Sequence, residues 1–347
     1  MTPIYPFRSR LSSGSGGLAY NERMRRAVRI WAIAFALLGL GFAATVIALN
    51  STVYSANGFV LSYLNALSRG DSASALETRG VLTANEADTS LLTDEAMGSL
   101  EDATLVRDTP GQNGIHTVVF DVVASGVPAR SEFLVEQVST RFGIFPIWRF
   151  VASPLTTASI TVLHDDRIRV NGMDVTTTAS PGSPGSFLVF SPGVYTIDHD
   201  STFLTAEPVI LEATAIGQIA DASVDVQANP EFVAKVQSDL VGFLDSCATQ
   251  QVLMPTGCPF GRAFRNRIDT LPQWSIATYP TVAISPGMDA GTWWVPRADG
   301  VAVINVDVRS LFDGTVTTVN EDVPFSVEYT VTIENETRIV LTPVAAP

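Results

Sequence analysis

The spacing of hydrophobic and polar positions changes several times along the chain, and each change marks a different kind of element. From Ile30 to Leu49 no charged residue interrupts the apolar run, and about twenty such residues at helical rise cross a bilayer core. The run predicts a transmembrane helix over 30–49. After it, Val53, Val60, Tyr63, Leu64 and Leu67 recur at three- and four-residue spacing, so a helix runs on or restarts and stops near Gly70-Asp71. Residues 73–78 can make a second short helix. Thr93 as N-cap, with Asp94 and Glu95 where the helix dipole favours negative charge, predicts a third. The period then becomes that of strands at 103–107, 116–124, 131–141 and 147–152, separated by turn-rich residues 109–114 and by Ser125-Gly126. Helices first and a meander after them describe an α+β domain over 50–153.

Residues 154–157 read as a linker. Beyond them, short strands at 159–163, 167–170, 186–190, 194–197 and 209–213 are punctuated by Asn171-Gly172, by the Ser-, Pro- and Gly-rich residues 180–185 and by Pro192-Gly193. They form a small all-β module over 154–222, with a second hinge at 213–222. A new unit, 223–347, opens on Asn229, a good N-cap, and on Pro230, whose missing N–H costs nothing at the first helical position. Val233, Val236, Leu240, Phe243, Leu244 and Cys247 make one apolar face, so Cys247 points inward and Cys258 can tie loop 250–259 back onto the helix. Strands are expected at 274–284, 291–295, 301–309, 325–334 and 337–341. The order of elements in the first unit is thereby repeated.

This pattern resembles a family. The stretch Gly58-Phe59-Val60-Leu61-Ser62-Tyr63-Leu64-Asn65-Ala66-Leu67-Ser68-Arg69-Gly70-Asp71, with the closing Trp148-Arg149-Phe150, is similar to the nuclear transport factor 2-like fold, in which a long helix and shorter ones pack on a curved antiparallel sheet. Residues 53–153 and 229–343 each resemble it. Val170-Asn171-Gly172 with Pro192-Gly193-Val194-Tyr195-Thr196-Ile197 resembles small β-modules of the PEGA type. Basic tail, anchor and such modules in that order resemble bacterial envelope proteins of the teicoplanin-resistance-associated membrane protein type, over most of the chain. Having no cysteine before the anchor, the chain lacks the cytoplasmic zinc ribbon that some of those relatives carry. The resemblance implies an α+β architecture of one transmembrane helix and two cone domains flanking an all-β module, in an extracytoplasmic, non-enzymatic role. The same cone also houses enzymes.

Charge sets the orientation. Residues 1–29 hold Arg8, Arg10, Arg23, Arg25, Arg26 and Arg29 against a single acid, Glu22, an asymmetry that keeps a flank in the cytoplasm. Residues 1–21, rich in Ser, Gly and Pro, read as a disordered tail. A cleaved signal peptide also has a basic start and an apolar middle, but that middle is about 7 to 15 residues long and closes on a small-x-small site. Here Tyr54-Ser55-Ala56 puts a Tyr where a small residue is required, so an uncleaved anchor is expected, with residues 50–347 outside. The net charge of −14 over 347 residues, less the tail's six Arg and one Glu, leaves −19 on the remainder. A surface so acidic disfavours nucleic acid and anionic membrane surfaces. Lys235 is the only lysine, which fits a GC-rich, actinobacterial genome. Cys247 and Cys258 are the only cysteines, and on the oxidising side of a membrane they are expected to pair as a structural disulfide worth about 2 to 3 kcal/mol.

The chemistry-bearing residues do not converge. His116, His164 and His199 are scattered, His164-Asp165-Asp166 and Asp198-His199-Asp200 read as polar turns, and no zinc spacing or calcium loop is present. Ser183 lies between Gly182 and Pro184 without the G-x-S-x-G frame, and no phosphate loop or dinucleotide fingerprint occurs. No catalytic residue, metal or cofactor is therefore expected. The fold leaves one enzymatic alternative, a lyase or isomerase with a carboxylate raised in pKa inside a cone. Its candidates are Asp121 or Glu132 in the first unit and Asp307 or Glu328 with Tyr329 in the second. For binding, Trp293-Trp294 stands out: neighbouring strand residues face opposite sides, so at most one is in the core and the other is on the outer face or the cavity rim. An exposed Trp could anchor an envelope protein or stack on a cell-wall glycan; the ordinary alternative, which outweighs it, is that the second Trp packs under a loop or a neighbouring domain. Trp148, Trp274 and Phe145 read as core. A ligand sensor reporting through the basic tail is a third option.

Overall fold

The computed structural model describes residues 17–83 and 87–344, with side chains from Met24 onward. Helix α1 (Gly17–Ser51) carries the apolar run; it begins before the end of the expected disordered tail, the rest of which lies outside the described residues. Met24–Ser51 is 28 residues long, about 42 Å at helical rise, enough for a hydrocarbon core about 30 Å thick. Trp31, Phe35, Leu38 and Ile47 are all exposed. Apolar all round and covered by no protein along most of its length, this helix can cross a membrane, as an anchor or a signal sequence does.

The first unit comprises α2 (Ala56–Ser68), α3 (Ser72–Leu76) and an antiparallel sheet of β1 (Leu100–Pro110), β2 (Ile115–Ala124), β3 (Val127–Arg141) and β4 (Phe145–Phe150), in that order. Val60, Tyr63, Leu64 and Leu67 of α2 are buried against Val118, Phe120, Phe133, Val135 and Phe150. The predicted third helix does not form. Thr93 Oγ1 does accept from the Ala96 amide at 3.3 Å, as an N-cap would, but the chain makes only a turn there. Leu91 and Ala96 are drawn away into the core of the next module. Asp94 instead accepts from the Ser72 amide at 2.8 Å, at the start of α3, and the Ser72 side chain together with that amide holds its carboxyl below the usual range.

The middle module is a sandwich of β5 (Leu155–Leu163), β6 (Arg167–Val170), β7 (Met173–Thr176), β8 (Pro184–Phe190), β9 (Gly193–Asp200), β10 (Leu204–Ala213), β11 (Ile219–Asp225) and β12 (Gln227–Ala228). One sheet runs β12-β10-β9-β6-β7 and the other β11-β5-β8, with β11 parallel to β5. Neither expected hinge is a loop throughout. Leu155 and Thr156 are already buried in β5, and Tyr63 Oη lies 3.1 and 3.0 Å from the carbonyls of Pro154 and Ser191, donating across the junction. At the second hinge, Ser131 Oγ donates to Thr214 O at 2.8 Å, and β11 begins at Ile219. Asp198-His199-Asp200 ends β9 instead of turning, and His199 is buried.

The last unit packs α4 (Pro230–Ala248) on a sheet of β13 (Arg267–Ile268), β14 (Gln273–Thr278), β15 (Ser285–Pro286), β16 (Thr292–Arg309), β17 (Val316–Glu334) and β18 (Arg338–Pro343). Asn229 Oδ1 accepts from the Phe232 amide at 2.9 Å, the expected cap. The buried face is Phe232, Val236, Leu240, Leu244 and Cys247, so Val233 and Phe243 of the expected face are outside it and Phe232 is added at the helix start. Residues 291–295 and 301–309 belong to one strand: Pro296 falls at a bulge between Val295 and Ala298, where a residue without an N–H breaks no ladder bond. Cys247 and Cys258 stand at disulfide distance, 2.07 Å between sulfurs. The middle sandwich and the last unit share one continuous core, in which Trp293 meets Phe232 edge-on at 5.9 Å and Phe232 meets Phe203 at 5.3 Å.

Candidate functional site

A large concavity is built where α1, α2 and the first sheet meet. Ser55 caps α2 by accepting from the Gly58 amide at 3.1 Å. Gly58 itself has no room for a side chain: a Cβ would lie 2.1 Å from the Thr52 carbonyl, so only glycine lets α2 fold back this closely on the chain leaving α1. The inner face of α2 is spent on the core, and its flank of Phe59, Leu61, Ser62 and Asn65 forms one wall of a groove of about 1120 Å³. The other walls are Ala103 and Leu105 of β1, Phe120 of β2, and Pro146, Ile147 and Trp148 of β4. Residues 51–54 close one end, and Trp148 is fixed there by donating from Nε1 to the Tyr54 carbonyl at 2.8 Å. The volume is slightly above the range of about 300 to 1000 Å³ usual for sites that hold small ligands. The charges on its lining are Arg79 and Arg141, with no Asp or Glu.

The sequence candidates fall elsewhere. Asp121 points outward and pairs with Arg130 at 2.7 Å, which holds its carboxyl below the usual range. Glu132 is exposed on β3, Asp307 accepts from Thr318 Oγ1 at 2.6 Å on the face of β16 opposite the core, and Glu328 accepts from Trp294 Nε1 at 3.2 Å. None of these four carboxylates lies in a closed cavity, so the buried-carboxylate mechanism has none of its named residues in place. Tyr329 is buried, and that burial raises its hydroxyl pKa. Trp293 and Trp294 divide as strand alternation requires, 1% and 40% exposed. Trp148 and Trp274 are buried as expected, whereas Phe145 is only half-buried, stacked on Tyr54 at 4.5 Å between centroids.

The histidines do not meet. His116 pairs with Asp108 at 2.7 Å, His164 with Asp225 at 3.1 Å, and His199 lies between the Arg167 carbonyl and Ser201 Oγ. Among the described residues no group of three or more His, Cys, Asp or Glu could hold a metal ion. A second, smaller cavity of about 360 Å³ lies where the sandwich meets the last unit, beside Trp293. Arg167 bridges Asp165 at 3.2 Å and Glu336 at 2.6 Å across that joint. Burial opposes ionisation of Asp165, but the hydrogen bonds from the Arg167 side chain and backbone outweigh it and hold the carboxyl low. Asp166 is pushed up by burial and by the neighbouring Asp165 carboxyl. This cluster is a weld between modules. No protein-family model matches the chain, and no curated protein or solved structure is significantly similar to it.

Proposed function

We propose that the chain is a single-pass membrane protein of the cell envelope, N-terminus inside and three modules outside, that binds an amphiphile bearing an anionic group in the groove of its first unit. The observation that carries this is the lining: aromatic and aliphatic walls whose charges are Arg79 and Arg141, with no acid, in a chain of net charge −14. An apolar groove with a few placed polar groups is the form of a small-molecule site, and the absence of a lining carboxylate favours binding over acid–base catalysis. Retention of α1 is supported by residues 50–54, which are built into the folded unit through Asn50, the Tyr54 carbonyl and the Tyr54 ring. Cleavage at Ala56 would strip Trp148 of its acceptor. The nuclear transport factor 2-like reading is supported by the helix laid over a four-stranded antiparallel sheet in the first unit and its counterpart in the last.

In the last unit the corresponding interior is filled by Phe260 against Trp274 and Phe325, so its part is structural or scaffolding. Trp294, half-exposed and fixed by Glu328, is the side chain that would meet a protein or glycan there. The test is a photo-crosslinking amino acid at Leu105, inside the groove, in intact cells, with mass spectrometry of the adducts. A lipid-like adduct, reduced when Arg79 and Arg141 are changed to Gln, is expected. Peptide adducts alone, or none from a folded chain, would replace this reading by a scaffold one.

A further inference from the structure

Two hydrogen bonds fix the direction of the β3–β4 hairpin relative to α1. Trp148 Nε1 donates to the Tyr54 carbonyl at 2.8 Å, and Asn50 Nδ2 donates to the Ile144 carbonyl at 2.9 Å. Passing from Trp148 back to Ile144 along β4 therefore follows the chain from Tyr54 back to Asn50, toward the apolar run. The hairpin tip therefore points along α1 toward its apolar run. Ile144 lies level with Asn50, the first polar residue after that run. Phe142 is in the turn that the Ile144 amide closes by donating to the Arg141 carbonyl at 3.2 Å. It therefore stands about one residue beyond that level, roughly 3 Å, which is about two residues of helical rise, and reaches the level of Ala48. One face of the helix is partly covered near this end: Val46, Leu49 and Asn50, at i, i+3 and i+4, are half-buried, while Ile47 on the other side is 69% exposed.

The composition of the tip makes no sense as a water-facing turn. Phe142 and Gly143 both have positive φ, 54° and 71°, and are the central pair of the turn closed by the Ile144 amide on the Arg141 carbonyl, a left-handed pair for which Asn-Gly is favoured. Asn171-Gly172, between β6 and β7, is that preferred form, with φ of 49° and 90°. Phe142 pays backbone strain and gives the fold nothing in return, because its side chain is 80% exposed. A bulky residue held in a disfavoured conformation at an exposed site points to function. Arg141 stands 5.5 Å from the Phe142 ring centroid, and residues 138–149 contain no acid.

We infer that residues 141–144 rest in the interfacial layer of the outer leaflet, where aromatic side chains settle and arginine reaches the phosphates. Phe142 and Ile144 are the apolar anchors and Arg141 the polar one. The contact holds the first unit at a fixed attitude with its groove against the bilayer. It rests on α1 being a retained anchor. The acidic remainder of the outer part does not oppose it, because the contact is made by apolar groups and a cation. The β16–β17 tip, where Phe312 is 99% exposed, has no membrane-spanning helix in contact with it among the described residues and serves as a control.

The test uses the full chain in vesicles of phosphatidylcholine and phosphatidylglycerol, spin-labelled at Phe142→Cys or Phe312→Cys. At 142, collisions with dissolved oxygen should exceed those with a water-soluble nickel chelate; at 312 the order should reverse. A label at 142 as chelate-accessible as that at 312 overturns the inference. A second variant, Phe142→Asn, suits the turn and keeps the fold. With a fluorophore at Leu105→Cys it should lower quenching by nitroxide-labelled lipid at least two-fold, and unchanged quenching also overturns the inference. If the chain leaves the vesicles without residues before Ala56, the anchor itself fails, an outcome distinct from a membrane-held chain with a wet tip.

Discussion

Replacing Trp293 by alanine empties the position where the middle sandwich and the last unit share their core. The side chain is 1% exposed and packs edge-on against Phe232. A buried Trp removes roughly 150 to 250 Å² from water, which at about 25 cal/mol/Å² is about 4 to 6 kcal/mol; measured truncations of this kind cost about 3 to 5 kcal/mol. If residues 155–344 unfold as one body, a loss of about 4 kcal/mol lowers their melting temperature by roughly 8 to 16 °C, since each kcal/mol is worth about 2 to 4 °C in a body of that size. Native-state hydrogen exchange locates the loss. Amides of β6 and β9 should lose protection in step with those of α4 and β16, whereas α2 and β1–β4, whose core is a separate cluster although it takes in Leu155, Leu188, Phe190 and Val194 of the sandwich, should keep most of their protection. Loss confined to residues 230–343, with β6 and β9 unchanged, would falsify the shared core and restore three independent modules.

Removing the disulfide with Cys247→Ala and Cys258→Ala opens a loop with a sequence separation of 11 and should cost about 2.8 kcal/mol on the chain-entropy model. A urea midpoint corresponding to less than about 1 kcal/mol would mean that the Trp274 indole, donating to the Val252 carbonyl at 2.8 Å, already holds the loop. Tyr63→Phe leaves the carbonyls of Pro154 and Ser191 without their buried donor and should destabilise the first unit by about 1 to 3 kcal/mol; an unchanged denaturation midpoint would contradict that. For Asp165 the folded carboxyl is held below its unfolded value near 3.9, so its stabilisation is present above that pH and is lost as pH falls through the lowered value. Asp166, raised, works in the opposite sense. The stability difference between the native chain and Asp165→Asn should therefore shrink on titration from pH 6 to pH 3; a constant difference would show that Asp165 is not the group responsible.

Much of the fold was legible where local chemistry decides it. Asn229 and Pro230 mark the start of α4, the alternation over 131–141 marks β3, and Asn171-Gly172 marks a tight turn, because caps, pleats and turns are set by a few neighbouring residues. The failures share a cause in tertiary demand. Thr93 makes the capping contact of a helix that never propagates, because Leu91 and Ala96 are needed in the next module's core. Residues 154–157 look like a linker from Pro154 and the short polar run after it, yet Leu155 is taken into the first core. Shared cores leave no mark in a window of ten residues, so a boundary drawn on composition divides what packing joins.

The groove was invisible for a different reason. Trp148 reads as an ordinary core residue and Phe59, Leu105 and Phe120 carry no local sign of a site, and only the closure of α2 over the sheet, enforced at Gly58, leaves a space between them. The membrane-facing tip did carry a local sign. Natural chains break a local rule mainly where function requires it, and Phe142-Gly143 breaks the rule that Asn171-Gly172 and Ser125-Gly126 keep, small or polar first and glycine second, at turns of the same left-handed form. What turns that irregularity into an argument is position. The same Phe at the end of β16 would say nothing, whereas beside Asn50 it lies within about one helical turn of the last apolar residues of α1. A turn residue that is wrong for water and right for lipid therefore ties the local chemistry of two residues to the placement of a whole domain.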